Sequence, residues 1–346
     1  MKIAILGDTH LDIKHYSEVF HNQFETFYTD IFFPYLLDNR IEYVIQTGDL
    51  FDNKKQINFN SLDKIKEYFL NKFEEYNIKL ITFPGNHDCP FWKTSLKNNA
   101  QSIILKDYKN IKSYDYPTTI IFDKLNIDII PWICKDNQEE ILNFISESES
   151  EICIGHFELQ GFPVYSGYDM KTGMSATILN DYKKVISGHY HTKSERGNVI
   201  YVGVPYHLTR HDTNEVKGFH ILDTETLELE FIKNPFQLFR KIDWIDNIIN
   251  PKDFTNCYVK IIVKGKSDEE QFNKYVKELE EYAYDIDIVE NIMIENEEES
   301  EEIEHQDTKE IISKYIKTIK NKEINHNKLE DIIMNLYNEA IINEVI

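Results

Sequence analysis

The sequence of 346 residues contains little cysteine, glycine, proline or positive charge. Its four cysteines lie far apart without a Cys-x-x-Cys pair, which excludes a disulfide framework and a thiolate metal site. Twelve glycines and nine prolines exclude the fibrous and low-complexity classes. No apolar run approaches the roughly 18 residues of a membrane span, and the apolar run at the N-terminus is too short for a signal peptide. We therefore expect a soluble, cytoplasmic protein with no membrane partner.

Negative charge exceeds positive charge by a wide margin. The chain has 38 Lys and Arg against 60 Asp and Glu, for a formal net charge of −22. This balance excludes a protein that coats nucleic acid by bulk electrostatics, but not a nuclease whose metal ions supply positive charge locally. Acidity peaks in residues 285–308, which hold eleven Asp or Glu and no Lys or Arg. Much of this stretch is predicted to be a solvated linker, because such a run cannot bury itself.

Apolar residues make up 41% of the chain, and their spacing predicts an α/β fold. Over the first 90 residues, short apolar runs that end in polar residues alternate with helical patterns, as in β-α-β units. Short strand candidates dominate the part that follows. Together they predict a two-sheet α/β sandwich with flanking helices, plus a small α+β capping domain and a C-terminal helical tail. The predicted boundaries are 1–250 for the large domain, 251–294 for the capping domain, 295–306 for the acidic linker and 307–346 for the tail.

Residue types that bind metals follow the predicted strand ends. They are Asp8, His10, Asp49, Asn86, His87, Asp88, His156, His189 and His191. Each group alone is common, but five such groups in order, each at a strand end, are hard to obtain by chance. Imidazole, carboxylate and amide ligands without thiolate suit Mn²⁺, Fe²⁺ or Zn²⁺. A pair of ions about 3.5–4 Å apart needs a shared ligand, which a carboxylate can provide.

This ordered set resembles the calcineurin-like metallophosphoesterases. Within them, five segments resemble the SbcD-type nuclease subunit of double-strand-break repair complexes, including the recombination endonuclease subunit of T-even-like phages. The segments are Gly-Asp-Leu-Phe-Asp (48–52), Ile-Ile-Pro-Trp (129–132), Gly-His-Phe-Glu-Leu (155–159), Ser-Gly-His-Tyr-His-Thr (187–192) and Asp-Phe-Thr-Asn (253–256). The resemblance covers nearly the whole chain.

The resemblance implies a set of ligands and catalytic residues. One metal ion would be held by Asp8, His10, Asp49 and His191. The second would be held by Asp49, Asn86, His156 and His189, with Asp49 bridging. His87 would steady the phosphate and protonate the leaving oxygen, and Asp88 would orient His87 by accepting a hydrogen bond. Many relatives have a histidine where Asp52 stands here, which leaves the role of Asp52 open.

The implied function is two-metal hydrolysis of DNA, exonucleolytic on ends and endonucleolytic on single strands, in double-strand-break repair and recombination. The resemblance also implies Mn²⁺ as the metal ion, a homodimer and an SMC-like ATPase partner of the SbcC type. We expect the dimer to form through the helices of the first 80 residues, which carry more apolar surface than one sheet face needs. The residues concerned are Phe20, Phe24, Phe27, Phe69 and Phe73.

The last helical pattern presents one apolar face, which we expect to bind the ATPase because so short a helix is marginal alone. This face comprises Leu329, Ile332, Ile333, Leu336, Tyr337 and Ala340. The alternative is that the tail folds back on the large domain.

Two other functions stay open at this point: a phosphoprotein or nucleotide phosphatase, and a non-catalytic adaptor of the ATPase. Protein phosphatases commonly have Arg before the Gly-Asn-His motif, where Phe83-Pro84 stands here. An adaptor has no need of a complete ligand set.

Overall fold

The computed structural model describes most of the chain. The described residues are 1–53, 55–89, 100–165, 168–213, 215–244, 249–263 and 269–290, with Ile316, Lys328, Leu329 and Ile333 beyond them. The chain divides into two compact units, Met1–Ile292 and Met293–Ile346. Within the described residues, no helix is both long enough and apolar enough to cross a membrane.

Seventeen strands lie among the described residues of the first unit. In chain order they are β1 (Lys2–Leu6), β2 (Tyr43–Gln46), β3 (Lys79–Thr82), β4 (Ile111–Ser113), β5 (Thr118–Phe122), β6 (Leu125–Ile130), β7 (Ile152–His156), β8 (Pro163–Tyr165), β9 (Tyr168–Asp169), β10 (Lys184–Gly188), β11 (Ser194–Arg196), β12 (Val199–Tyr201), β13 (Gly218–Asp223), β14 (Leu229–Lys233), β15 (Phe239–Trp244), β16 (Tyr258–Val263) and β17 (Asp285–Glu290). Most are short runs of β-branched and aromatic residues, the types that favour extended backbone.

The helices lie between these strands. They are α1 (Glu18–Thr26), α2 (Phe33–Asp38), α3 (Phe59–Ile65), α4 (Asn71–Glu75), α5 (Ala100–Ile104), α6 (Gln138–Glu147) and α7 (Glu269–Leu279). Two π-helical segments, Phe27–Phe32 and Lys66–Leu70, join α1 to α2 and α3 to α4. Asn58 caps α3, because its side-chain oxygen accepts hydrogen bonds from the next turn of backbone.

Two six-stranded mixed sheets form the large domain. The first has the order β14-β13-β1-β2-β3-β4, and the second has the order β11-β12-β10-β7-β6-β5. Strands β1 to β4 are parallel, and so are β12, β10, β7 and β6. Ile5 lies opposite Ile45 in the first sheet, and Ile154 lies opposite Ile186 in the second. Because the carboxyl ends of parallel strands meet at one edge, each sheet brings its strand-end residues together there.

The core has one layer between the sheets and further layers under the helices. Ile3 and Ile5 of β1 pack with Ile127 and Ile129 of β6, in the layer between the sheets. The alternate residues of β1 face the helices instead, in the cluster that contains Phe24. The two-sheet α/β sandwich with flanking helices predicted from the sequence is therefore confirmed.

The phenylalanines expected at a dimer interface lie inside this core. Phe20, Phe24, Phe27, Phe69 and Phe73 are each at most 4% exposed. They pack on one another and on the first sheet, because the helical segments α1–α2 and α3–α4 cover the same sheet face. Placing the dimer interface on these residues was therefore wrong, because they have no surface to offer a second chain.

A small parallel sheet of order β15-β16-β17 follows the large domain, with α7 packed on it. Trp244, Ile261 and Phe272 are buried where the helix meets the sheet. The α+β content predicted for residues 251–294 is present as β16, α7 and β17, but β15 joins this sheet from before residue 250. The division of the chain into domains stays a prediction.

The predicted linker and most of the tail lie outside the described residues. Of the tail residues expected to bind a partner, Leu329 and Ile333 are helical and half-buried. The others, Ile332, Leu336, Tyr337 and Ala340, lie outside the described residues.

Candidate metal centre

The predicted ligands come together where the carboxyl ends of the two sheets meet. Asp8 and Asp49 come from loops after β1 and β2, and His156 is the last residue of β7. These three side chains are almost completely buried, with at most 2% exposure. Buried carboxylates and imidazoles at this density need partners, because an isolated charge in a protein interior is costly.

One group of ligand atoms comes from Asp8, His10 and His191, and each atom lies within 4.8 Å of the others. The Nε2 atoms of His10 and His191 are 3.2 Å apart. Oδ2 of Asp49 lies 3.8 Å from the same His10 nitrogen. The structure thus brings together the four residues that the sequence assigns to the first metal ion.

A second group comes from Asp49, His156 and His189, again within 4.8 Å of one another. Oδ2 of Asp49 is 3.3 Å from Nε2 of His156. Oδ1 of Asn86 lies 3.0 Å from Nε2 of His156 and 3.0 Å from Nδ1 of His189. The four residues assigned to the second ion also meet, and the Asp49 carboxylate lies between the two groups.

Three of these residues have backbone conformations that side chains rarely adopt. The φ angles of His10, Asp49 and His189 are 42°, 51° and 89°. Such conformations cost on the order of 1–3 kcal/mol each and are found mainly at functional sites. Two glycines allow the close approach, since a Cβ atom on Gly85 would collide with the Asp49 carboxylate and one on Gly188 would collide with that of Asp8.

Hydrogen bonds orient the donors in the way metal ligation requires. Nδ1 of His156 donates to the carbonyl of Thr47 at 2.9 Å, which leaves the lone pair on Nε2 directed at the group formed with Asp49. The second oxygen of Asp8 accepts from the backbone N–H of His189 at 2.8 Å. Imidazole, carboxylate and amide donors are present together, and the residues therefore fit a pair of divalent ions.

The site perturbs the pKa values of its members. Burial raises the pKa of Asp8 to about 7. Burial alone would lower the pKa values of His10 and His156, but the surrounding carboxylates raise both to about 9. Burial and the neighbouring His10 lower the pKa of His191 to about 3. Without metal ions the ligands share protons, so metal binding must release protons and should tighten as pH rises.

His87 lies at the exposed side of the ligand groups, with 42% of its side chain accessible. Its Nδ1 donates to the backbone carbonyl of Asp52 at 2.9 Å. The Asp52 carboxylate lies 3.6 Å from the same nitrogen and 3.1 Å from Nδ1 of His10. Asp52, whose role the sequence left open, therefore contacts both a predicted ligand and the predicted proton donor.

The orienting role predicted for Asp88 is wrong. Its carboxylate accepts hydrogen bonds from the backbone N–H groups of Leu50, Phe51 and Gly85 and from Nε2 of Gln101. Within the described part of the chain, Asp88 thus joins the loops that carry Asp49 and His87, while Asp52 contacts the His87 ring. Asp52 closes the segment Gly-Asp-Leu-Phe-Asp, and the resemblance left its role open.

Residues 1–193 of the chain match the calcineurin-like phosphoesterase family. The chain is similar to exonuclease subunit 1 of Enterobacteria phage T4, with 39% identity over 324 residues that cover 92% of this chain and 93% of the phage protein. It is also similar to the DNA double-strand break repair protein Mre11 of Nanoarchaeum equitans, with 25% identity over 304 residues that cover 70% of this chain and 82% of that protein. The Mre11 protein of Sulfurisphaera tokodaii is 26% identical over 233 residues, which cover 63% of this chain and 56% of the relative. All the predicted metal ligands lie within the matched family region.

Proposed function

The chain belongs to the calcineurin-like phosphoesterase family, and we propose that it is a metal-dependent DNA nuclease that acts in recombination and double-strand-break repair. The observation that carries the proposal is the convergence of carboxylate, imidazole and amide ligands from both sheets on one edge. The similarity to an exonuclease subunit over nearly the whole of both chains supports DNA as the substrate.

The two ligand groups would each hold one divalent ion, with Asp49 shared between them. We propose Mn²⁺, the ion that the resemblance implies. The donor set of imidazole and hard oxygen ligands is compatible with it, and the four cysteines are buried free thiols that belong to neither group. When bound, such an ion pair polarises a phosphodiester and lowers the pKa of a water molecule. Because the chain has a net charge of −22, its overall charge does not attract DNA. Binding of the scissile phosphate must therefore come mainly from local contacts at this site.

His87 is suited to transfer a proton to the leaving oxygen. Its Nδ1 hydrogen is committed to the carbonyl of Asp52, so Nε2 is the nitrogen that can exchange a proton with the substrate. Its exposed position beside His10, with ring centroids 4.9 Å apart, puts it next to the first group of ligands. We propose that His87 steadies the phosphate and protonates the leaving group, and that Asp52 keeps it in place.

The proposal is tested by comparing two substrates. The full-length protein with Mn²⁺ should release nucleotides from linear blunt and hairpin DNA and should open single-stranded circles, but should release little phosphate from a phosphopeptide. Phosphate release from the peptide alone would identify a phosphatase of the same family. Inactivity on both substrates, with Mn²⁺ bound, would favour a non-catalytic adaptor. Chelation of the metal and its replacement by Mg²⁺ are the controls for metal dependence.

From the resemblance to SbcD-type nuclease subunits, we also propose that the tail binds an SMC-like ATPase of the SbcC type and that the nuclease is a homodimer. Truncation after Ile294 should leave a dimeric Mn²⁺-dependent nuclease that no longer co-purifies with the ATPase. The double substitution Ile333→Glu and Leu336→Glu should have the same effect without changing the melting of the large domain. Asn335→Glu with Asn338→Glu, which adds the same charge to the polar face, is the matched control. Unaltered ATPase affinity of the apolar-face variant would contradict the assignment.

A further inference from the structure

A buried lysine lies directly behind one of the predicted metal ligands. The side chain of Lys217 is only 4% exposed, and its ammonium has three acceptors. These are Oδ1 of Asp212 at 2.7 Å, Oε2 of Glu215 at 2.7 Å and the backbone carbonyl of His191 at 2.9 Å. Lysine is almost never fully buried unless it is paired, and here all three N–H donors of the ammonium have partners.

The two carboxylates that hold Lys217 are fixed in turn. Oδ2 of Asp212 accepts hydrogen bonds from the backbone N–H groups of Leu208 and Thr209, both at 2.8 Å. Oε1 of Glu215 accepts from the hydroxyl of Thr192, the residue next to His191, at 3.2 Å. The ammonium is thus anchored on the segment 208–217 while its third bond reaches the loop that carries the ligand.

The loop carries two predicted ligands, His189 and His191, and each is anchored by different hydrogen bonds. His189 is held through its own N–H, which donates to Asp8 at 2.8 Å. The carbonyl of His191 accepts from Lys217 at 2.9 Å and from the backbone N–H of Val204 at 3.3 Å, so the lysine makes the shorter contact. The Nε2 atom of His191 lies 3.2 Å from that of His10. The orientation of the His191 ring depends on where the backbone carbonyl of His191 is fixed.

We propose that Lys217 is a positioning residue for the first metal site, and that it acts by fixing the main chain of His191. This inference rests on the proposed function only in taking His191 as a metal ligand. The second site, whose ligands are anchored elsewhere, does not depend on Lys217.

The test measures Mn²⁺ binding to the full-length protein by calorimetry, separately for each site. An Asn86→Ala background keeps the first site, and a His10→Ala background keeps the second. Lys217→Met should weaken Mn²⁺ binding about 10- to 100-fold in the first background, the usual effect of losing a group that orients a ligand. In the second background the dissociation constant should not change. Lys241→Met is the matched control, because it removes an ammonium that is paired with Asp243 in β15, outside both ligand groups, and it should leave the first site close to its parent.

The outcome separates positioning from general stability. Equal first-site affinity with and without Lys217, or equal weakening of both sites, would overturn the proposal. If Lys217→Met does not fold, the double variant Lys217→Met with Asp212→Asn, which removes the ammonium and one counter-charge together, takes its place in the same comparison. Absence of Mn²⁺ binding by the unsubstituted protein would instead refute the proposed function and would be seen before any variant is made.

Discussion

Replacing His87 with Gln should remove most DNA cleavage while both metal sites stay occupied. The His87 side chain is 42% exposed, and its contact with Asp49 is made by its backbone N–H at 2.8 Å, which the substitution keeps. The imidazole is lost from the position where Asp52 holds it. Positioned proton transfer is worth about 10²–10⁴ in rate, or about 3–5 kcal/mol of transition-state stabilisation, so kcat should fall by that factor.

Two measurements decide between proton transfer and simple phosphate binding. Calorimetry with Mn²⁺ should give the same stoichiometry for His87→Gln as for the parent. Hydrolysis of a p-nitrophenyl ester of thymidine 5′-phosphate should suffer much less than cleavage of DNA, since nitrophenolate leaves without being protonated. Loss of a metal ion, or an equal loss of rate on both substrates, would refute the role assigned to His87.

Three further substitutions probe the site and its support. Asp49→Ala should weaken both Mn²⁺ sites together, because its carboxylate contacts imidazoles of both groups, and one site kept at full affinity would count against a bridge. Asp52→Asn removes a carboxylate 3.1 Å from Nδ1 of His10, so Mn²⁺ should bind the first site about tenfold more weakly, and an unchanged titration would show that the contact is incidental. Burial between α1 and α3 lowers the pKa of His21 from 6.5 to about 4. Because protonation therefore favours the unfolded chain, the stability from neutral His21 is complete above pH 6.5 and falls by about 2 kcal/mol by pH 5. Urea titrations should be made on the parent and on His21→Gln at pH 7.5 and pH 5. The difference between their free energies of unfolding should be smaller at pH 5 by that amount. A difference that does not change with pH would contradict the argument.

The members of the ligand groups could be identified from sequence because they follow a rule of sheet geometry, whereas their division between two ions came from the resemblance. Asp8, Asp49 and Asn86 each follow a strand of one parallel set, and parallel strands place their carboxyl ends at one edge. His156 and His189 do the same in the second sheet. Short apolar strands with helical patterns between them also determined the layers. Local pattern was sufficient wherever the position of a residue depended on the strand that precedes it.

Contacts made by loops could not be predicted in the same way. Asp88 is adjacent to His87 in sequence, but the turn that contains both residues directs the Asp88 carboxylate to the backbone of the loop after β2. Asp52 meets His87 only because two loops meet in the folded chain. The surplus of phenylalanines suggested a surface for a partner, because composition does not reveal that two helical segments pack on one sheet face. No sequence pattern identified Lys217, because a single lysine forms neither a periodic pattern nor a motif.

Assembling the ligands costs free energy, which bonds in the surrounding structure must offset. His10, Asp49 and His189 have unfavourable backbone conformations. Each of these features opposes folding, so the fold must hold them with bonds that do not depend on a metal ion. The contact of His189 with Asp8 and the bonds that Asp88 accepts are of this kind, since each joins loops from different strands. A site held in this way is already close to the geometry that metal ions require, and the binding energy of the ions need not be used to order it.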